Sequence, residues 1–409
     1  MDGVACLAPQ PWMSAPETRR LMAALTAEGG TARFVGGLVR DALLGRPVSD
    51  IDLATDLAPD LVMQRLAAAG LRAIPTGIDH GTVTAVVAGR HFEVTTLRRD
   101  VETDGRRARV AYTDDWAEDA RRRDFTINAL FADPDGTLYD PVGGLDDLPA
   151  RRVRFVGDPA RRIAEDVLRL LRYFRMLARF GSAEIDGPSR AACRAHAHLL
   201  PTLSGERIRG EVERILSVDD PRAALRLIEA DGILPPVLPM LAAFDRLERL
   251  VLVEPAPDWL RRLAALIAGG SPAAAALAER LRLSRAEGDR LAAIVEPYDP
   301  RDLPADDRSC RDRLYAIGHA AARDRALLAA ADGLDRDGVA ATAVAALAVA
   351  ERPVFPLAGR DALAAGVPPG PRVGALLDAV ERWWIDAGYV ADADACRAQL
   401  RWQVGRNDA

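Results

Sequence analysis

The sequence contains no lysine, so all 54 basic residues of this 409-residue chain are arginine. A phosphate-binding loop built on a lysine is therefore excluded, and any phosphate must be bound by arginine or by backbone amides. The four cysteines lie far apart without a C-x-x-C pair, which argues against a zinc site or a disulfide framework and favours a reducing cytoplasm. The five histidines form no H-E-x-x-H or H-D sequence, which argues against histidine-based metallohydrolase chemistry.

Long hydrophobic runs are missing as well. No apolar stretch reaches the roughly 18–20 residues of a membrane span, and the N-terminus has no basic segment followed by an apolar one, as a secretory signal would. We therefore expect no membrane partner. With 49% hydrophobic and 28% charged residues, the composition is that of a folded globular protein. The length suits several domains.

The net charge of −6 is unevenly distributed along the chain. Residues 151–215 contain 14 arginines against 8 acidic residues, so the remainder is strongly acidic. This distribution predicts a local anion-binding site rather than a uniformly basic surface for nucleic acid.

The pattern of apolar residues predicts a mixed first part and a helical remainder. Strands are predicted at 31–35, 51–54, 82–87 and 91–97, and helices at 38–44 and 60–69. The charged residues 98–118 show little periodicity and predict a mobile loop. Beyond Pro159, helices are predicted at 161–180, 205–216, 221–230, 259–268, 272–281, 285–295, 310–330, 338–350 and 372–387.

Asp50 and Asp52 flank Ile51 within one predicted strand. The strand period of two places both carboxylates on one face and Ile51 on the core face. Like charges this close are unfavourable unless a cation lies between them, and Mg²⁺ prefers such oxygen ligands. Taken alone, the pair also fits a solvated strand end.

Gly36 and Gly37 follow a predicted strand and open a predicted helix, with Arg40 one turn later. Glycines allow a close approach of the backbone, and helix N-terminal amides bind phosphate. The motif predicts a phosphate cradle, although a plain strand–turn–helix corner has the same pattern.

A helical wheel of residues 165–180 separates two faces. One face is apolar, and the other has the four arginines Arg169, Arg172, Arg175 and Arg179. By itself this pattern fits a solvated basic face, but beside the two preceding motifs it indicates a face turned toward a nucleotide.

Four ordered motifs together resemble the class II tRNA nucleotidyltransferases and bacterial poly(A) polymerases. They are GGLVRD (36–41) with DID (50–52), RRDFTINAL (122–130), DPVGGLDDL (140–148) and EDVLR (165–169) with later arginines. The resemblance implies an α+β fold with a polymerase-beta-like nucleotidyltransferase head at residues 1–150. It further implies a helical neck at 151–217 and a helical body and tail at 218–409 that bind tRNA. Residues 98–118 resemble the family's flexible loop.

The resemblance also implies roles for individual residues. Asp50 and Asp52 would be the catalytic ligands of Mg²⁺, with Glu93 a candidate third carboxylate. Asp166 and Arg169 would recognise the amino group and ring nitrogen that cytosine and adenine share. Nucleotide contacts are expected from Gly37, Arg40, Arg123, Asp166, Arg169, Arg172 and Arg175. Asp124 and Asn128 would hold a ribose hydroxyl or simply bond each other.

The implied activity is addition of C, C and A to the 3′ end of tRNA from CTP and ATP, without a template and with release of pyrophosphate. The expected partners are CTP, ATP and the acceptor region of tRNA, in the cytoplasm. A poly(A) polymerase or a partial CC- or A-adding enzyme shares the head motifs, although the chain has no strongly basic extension. A non-enzymatic RNA-binding relative would have lost Asp50 and Asp52, which are intact here.

Overall fold

The computed structural model describes residues 5–104, 107–181, 184–296, 303–304, 306–333 and 338–407. The chain divides into two compact units, Met1–Val237 and Leu238–Ala409. Strands of the first unit are β1 (Ala32–Val35), β2 (Asp52–Thr55), β3 (Arg72–Gly77), β4 (Thr82–Val87), β5 (Arg90–Thr96), β6 (Arg98–Asp104), β7 (Arg107–Tyr112), β8 (Phe131–Ala132) and β9 (Leu138–Tyr139). Its helices are α1 (Pro11–Ser14), α2 (Pro16–Thr26), α3 (Gly37–Leu43), α4 (Pro59–Ala68), α5 (Trp116–Arg121), α6 (Gly144–Asp147), α7 (Pro159–Glu165), α8 (Leu168–Phe180), α9 (Gly187–His196), α10 (Gly205–Leu216) and α11 (Arg222–Ala230).

The first unit is built on a seven-stranded sheet in the order β3-β4-β5-β2-β1-β8-β9. Strands β2 and β5 run parallel and are neighbours in its centre. Along β5 the buried Phe92 and Val94 alternate with the exposed Glu93, so Glu93 points away from the core that they fill. This α+β head confirms the predicted fold class.

The two strands predicted at 82–87 and 91–97 are confirmed, and they form a hairpin. Strands β4 and β5 pair antiparallel up to Val87 and Arg90. The turn between them is Ala88-Gly89, with φ of 49° and 80°. Positive φ at both central residues gives a turn whose twist matches that of the flanking strands.

The prediction of an irregular loop over 98–118 was wrong. Strands β6 and β7 form a separate two-stranded sheet in that segment, and α5 begins within it at Trp116. Five of the seven residues of β6 and two of the six of β7 are charged, and in β6 these charges hide the alternation on which a strand prediction depends. Residues 105 and 106 of this predicted loop lie outside the described residues.

The single helix predicted for 161–180 is two helices, α7 and α8. Between them Asp166 has an extended backbone, with φ −153° and ψ 106°. Its Oδ1 accepts a hydrogen bond from the amide of Leu168 at 3.2 Å. This local hydrogen bond competes with the helical pattern of backbone bonds. The first helix therefore ends at Glu165, and α8 begins at Leu168.

The second unit is helical in its described residues, as predicted. Its helices are α12 (Phe244–Val253), α13 (Trp259–Leu266), α14 (Gly270–Arg280), α15 (Arg285–Val295), α16 (Asp307–Ala331), α17 (Val339–Val349), α18 (Gly359–Ala364), α19 (Pro371–Asp386) and α20 (Ala393–Asn407). Helices α12, α18 and α20 were not predicted. Helix α20 is largely polar, yet its Cys396 and Leu400 are buried in a cluster with Trp384.

None of the helices in the described part of the chain has both the length and the hydrophobicity that crossing a bilayer requires.

Candidate active site

A cleft of about 470 Å³ in the first unit brings together most of the predicted site residues. Its wall includes Gly37, Arg40, Asp52, Arg123, Arg169, Arg172 and Arg175. Asp50 lies instead on an adjoining cavity of about 390 Å³, which shares Asp52 and Glu93 with the cleft. Asp166 is the one predicted residue on neither wall.

One end of the cleft is acidic. Asp52 on β2 and Glu93 on β5 are partners in the parallel register. Burial, together with the charges of Glu93 and Asp50, raises the pKa of Asp52 to about 6, against a smaller opposing effect of Arg123. Ile51 is buried and Asp50 is exposed, but both precede β2, which begins at Asp52, so the prediction that one strand includes both carboxylates was wrong.

The acidic end of the cleft has oxygen donors that suit a cation. In the described residues, no three histidine, cysteine or acidic side chains gather closely enough to form a complete metal site. Asp52 is nonetheless a hard oxygen donor whose ionised form is disfavoured by its two acidic neighbours. A divalent cation removes that penalty, so the donor set fits Mg²⁺ with part of its shell supplied by water or phosphate oxygens.

Gly36 and Gly37 keep the floor of the cleft free of side chains. Gly36 has φ of 71°, and a Cβ there would lie 3.4 Å from Nη1 of Arg123. A Cβ on Gly37 would lie 3.4 Å from Nη2 of Arg40. The two glycines therefore leave room for two arginine heads at the start of α3.

Arg40 is almost fully buried at this floor, and hydrogen bonds hold its guanidinium in place. Its Nε and Nη2 donate to the two carboxylate oxygens of Asp41 at 2.9 and 3.0 Å. Its Nη1 donates to Oδ1 of Asn128, and the guanidinium lies 4.6 Å from the ring centre of Phe180. Such a paired guanidinium is fixed before any ligand arrives.

Asp119, which the sequence analysis did not identify, positions two arginines. This carboxylate is buried and accepts from Arg122 at 2.6 Å and from Arg123 at 2.8 Å. The guanidinium of Arg123 lies 5.2 Å from the centre of the Phe131 ring. Asp119 precedes Arg122 and Arg123 by three and four residues, a spacing that could have predicted these two ion pairs at the end of α5.

Asp124 links the head to α8. Arg172 contacts its Oδ2 at 2.7 Å, and Asn128 donates to its Oδ1 at 3.1 Å. Burial raises the pKa of Asp124, but Arg172 and the hydrogen bonds from Asn128 and the Phe125 amide outweigh it, so the pKa lies below its ordinary value. Asp124 and Asn128 thus bond each other, and both line the cleft.

The arginine face of α8 forms the basic wall, while the opposite face buries Leu170, Phe174 and Leu177, as the wheel predicts. Each arginine of this wall has an acidic partner that fixes it. Arg169 donates to Glu165 at 2.7 Å, and Arg175 to Glu211 at 2.7 Å. Fixed guanidinium groups facing a cleft with an acidic end suit a polyanion that arrives with a divalent cation.

Asp166 and Arg169 do not lie side by side on one helix, contrary to the predicted spacing. Asp166 belongs to the break before α8, and its carboxylate is bound by Arg207 of α10 at 2.8 Å. The two residues are linked through the backbone, since the amide of Arg169 donates to the Asp166 carbonyl at 3.0 Å. Sequence spacing gave no signal for Arg207.

Comparison with known proteins finds relatives that match most of the chain. Residues 32–154 match the family model "Poly A polymerase head domain", and residues 184–245 match "Probable RNA and SrmB- binding site of polymerase A". The mouse "CCA tRNA nucleotidyltransferase 1, mitochondrial" is 34% identical over 403 residues, covering 91% of this chain and 87% of the relative. The "CCA-adding enzyme" of Lacticaseibacillus paracasei is 34% identical over 368 residues, covering 88% and 89%.

A solved structure extends this similarity to the fold. The CCA-adding enzyme of Bacillus stearothermophilus in complex with CTP superposes with a TM-score of 0.75 at 28% identity. The match covers 96% of this chain and 99% of that one.

Proposed function

The chain belongs to the class II family of CCA-adding enzymes and poly(A) polymerases and is a CCA tRNA nucleotidyltransferase, and on that premise we propose which of its residues carry the reaction. The enzyme adds C, C and A to the 3′ end of tRNA from CTP and ATP, without a template, and releases pyrophosphate. The observation that carries the assignment of roles is the cleft itself, whose acidic end meets a wall of fixed arginines.

Asp50 and Asp52 are the ligands of Mg²⁺ in this proposal, and Glu93, the register partner of Asp52, is the candidate third carboxylate that would complete the set once a cation is bound. The raised pKa of Asp52, caused by burial and by its two acidic neighbours, supports a site that needs a cation to be ionised at neutral pH. When bound, the metal supplies charge neutralisation at the attacking and leaving oxygens of an in-line displacement.

The triphosphate lies along the arginine wall. Arg40 and Arg123 hold it at the floor beside Gly37, and Arg172 and Arg175 hold it from α8. Each of these guanidinium groups has an acidic partner behind it, which keeps its remaining donors directed and lowers the cost of ordering them on binding. The α-phosphate is thereby held at the acidic end of the cleft.

Asp166 and Arg169 select the base. Cytosine and adenine both present an amino donor beside a ring-nitrogen acceptor, which match a carboxylate and a guanidinium. Uracil and guanine present a carbonyl and an N–H instead, so both contacts become unfavourable. A mismatch of buried polar groups gives strong discrimination without a template.

We propose that the functions divide along the chain at the boundaries expected from the sequence. We assign catalysis to a head at residues 1–150 and nucleotide binding to a neck at 151–217. The body and tail at 218–409 bind the acceptor region of tRNA by its shape and backbone. We assign the enzyme to the cytoplasm. Because the mouse relative is described as mitochondrial, cell fractionation is the direct test of this assignment.

Binding of Mn²⁺, a spectroscopic substitute for Mg²⁺, tests the metal site independently of turnover. In the presence of CTP, we expect Asp52→Ala to lower Mn²⁺ affinity at least about tenfold and to abolish transfer. Asp79→Ala is the control, since Asp79 is an exposed carboxylate outside the cleft. Unchanged Mn²⁺ affinity with near-normal turnover in Asp52→Ala would overturn the assignment.

A further inference from the structure

Helix α10 has two charged side chains four residues apart, one paired with a residue of the break before α8 and the other with a residue of α8. Nη2 of Arg207 donates to both carboxylate oxygens of Asp166, at 2.8 and 2.9 Å. One turn later, Glu211 is buried and accepts from Arg175 at 2.7 Å. Two of the residues that we assign to nucleotide binding are therefore held by a helix that does not itself line the cleft.

Asp166 needs such a partner because the helix geometry does not fix it. Its backbone is extended between α7 and α8, so the hydrogen bond from the Leu168 amide to Oδ1 is the local contact that orients its side chain. Arg207 lies 41 residues further along the chain and reaches Asp166 from a separate element. The ion pair with Arg207 thus orients the Asp166 carboxylate from a helix that lies outside the break between α7 and α8.

The two oxygens of Asp166 are not equivalent. Oδ1 accepts from the Leu168 amide at 3.2 Å and from Arg207, whereas Oδ2 accepts from Arg207 alone among the hydrogen bonds described for it. A carboxylate oxygen accepts two hydrogen bonds. Oδ2 therefore retains one acceptor position for a further donor, and 19% of the side chain is exposed.

We propose that Arg207 is a positioning residue for base selection, which directs Oδ2 of Asp166 toward the amino group of CTP or ATP. This inference rests on the proposed role of Asp166. The Arg207 side chain is 22% exposed, and partly exposed ion pairs contribute little to stability. Its removal therefore disturbs the geometry of the carboxylate more than the fold.

The test compares four variants with the wild type in competition among CTP, ATP, UTP and GTP on a tRNA primer. They are Arg207→Ala, Arg207→Lys, Asp166→Ala and the Asp166→Ala/Arg207→Ala double variant. For Arg207→Ala we expect KM for CTP and ATP to rise on the order of tenfold, with a smaller change in kcat and a higher share of UTP and GTP incorporation. Arg207→Lys restores part of the selectivity, since an ammonium also binds a carboxylate.

The double variant decides whether Arg207 acts through Asp166. If it does, the selectivity of the double variant equals that of Asp166→Ala alone, because the same carboxylate is already missing. Arg209→Ala is the matched control: Arg209 lies on the same helix and pairs with Glu213 at 3.8 Å, and its loss should leave selectivity unchanged. Thermal melting of every variant verifies folding.

Two results would overturn the proposal in distinguishable ways. If Asp166→Ala loses selectivity while Arg207→Ala keeps it, or if the two effects multiply in the double variant, Arg207 has no positioning role and the role of Asp166 stands. If Asp166→Ala itself keeps wild-type selectivity, the base-recognition role fails, and the inference fails with it.

Discussion

Asp52 and Glu93 lie directly opposite each other on the parallel strands β2 and β5, although 41 residues separate them along the chain. Without a cation, this register places two carboxylates side by side where burial already disfavours charge. The pKa of Asp52 is accordingly raised to about 6 by burial, Glu93 and Asp50. The fold holds an arrangement that is unfavourable for stability and useful for binding a divalent cation.

The first prediction concerns the stability of the metal-free protein. The pKa of Asp52 is about 6 when folded, above its ordinary value of 3.8, so ionising Asp52 destabilises the fold above pH 6. Asp52→Asn should therefore stabilise the metal-free protein at pH 7.5 by about 1–3 kcal/mol. The gain should shrink as the pH falls through 6 and vanish below 3.8. Thermal melting in EDTA across this pH range measures it, and a variant that is less stable than the wild type at pH 7.5 would refute the prediction.

The second prediction concerns Asp119 as the support of Arg122 and Arg123. Asp119→Ala leaves two largely buried guanidinium groups without their carboxylate, so we expect a loss of about 3 kcal/mol of stability. It should also raise KM for both nucleotides, because Arg123 is no longer directed into the cleft. Urea unfolding followed on the first unit and steady-state kinetics measure the two effects, with Asp79→Ala as the control. Wild-type KM in a folded Asp119→Ala protein would contradict the positioning role.

The third prediction distinguishes the effect of backbone strain at Gly36 from the effect of contact between a side chain there and Arg123. Gly36 and Gly45 have similar positive φ, 71° and 65°, but only at Gly36 would a Cβ meet neighbours, at 3.4 Å. Gly36→Ala should cost about 1–3 kcal/mol of strain, because φ 71° and ψ −125° suit only glycine, and should lower kcat/KM, because the added methyl group contacts Arg123 and narrows the floor of the cleft. Gly45→Ala should lose stability while kcat/KM stays near normal. Equal kinetic losses in the two variants would mean that strain alone accounts for the effect.

The local parts of the fold could be predicted from the sequence. The β4–β5 hairpin follows from alternating residues around Ala88-Gly89, and the predicted bounds of α10 and α15 agree with the structure at both ends. These features depend on periodicity, turns and caps, which are properties of neighbouring residues. The cleft could be predicted in outline for the same reason, since its residues fall within short motifs.

The partners behind the site residues could not be predicted. Arg207 binds Asp166 and Glu211 binds Arg175 from a helix far along the chain, and no spacing rule relates them. The break at Asp166 was missed because apolar periodicity continues across it, while a single side-chain hydrogen bond ends the helix. The β6–β7 pair was missed because charged residues mask the strand period.

The central claim, that this cleft completes the 3′ end of tRNA, is tested most directly by sequencing the products made on tRNA that ends just before C, C and A. Wild-type enzyme is incubated with Mg²⁺ and with CTP and ATP, singly and together, alongside Asp52→Ala. We predict C-C from CTP alone, C-C-A and then termination from both nucleotides, and no addition by Asp52→Ala. Long A tails from ATP alone on unstructured RNA, products that stop at C-C with both nucleotides present, or normal addition by Asp52→Ala would contradict the account.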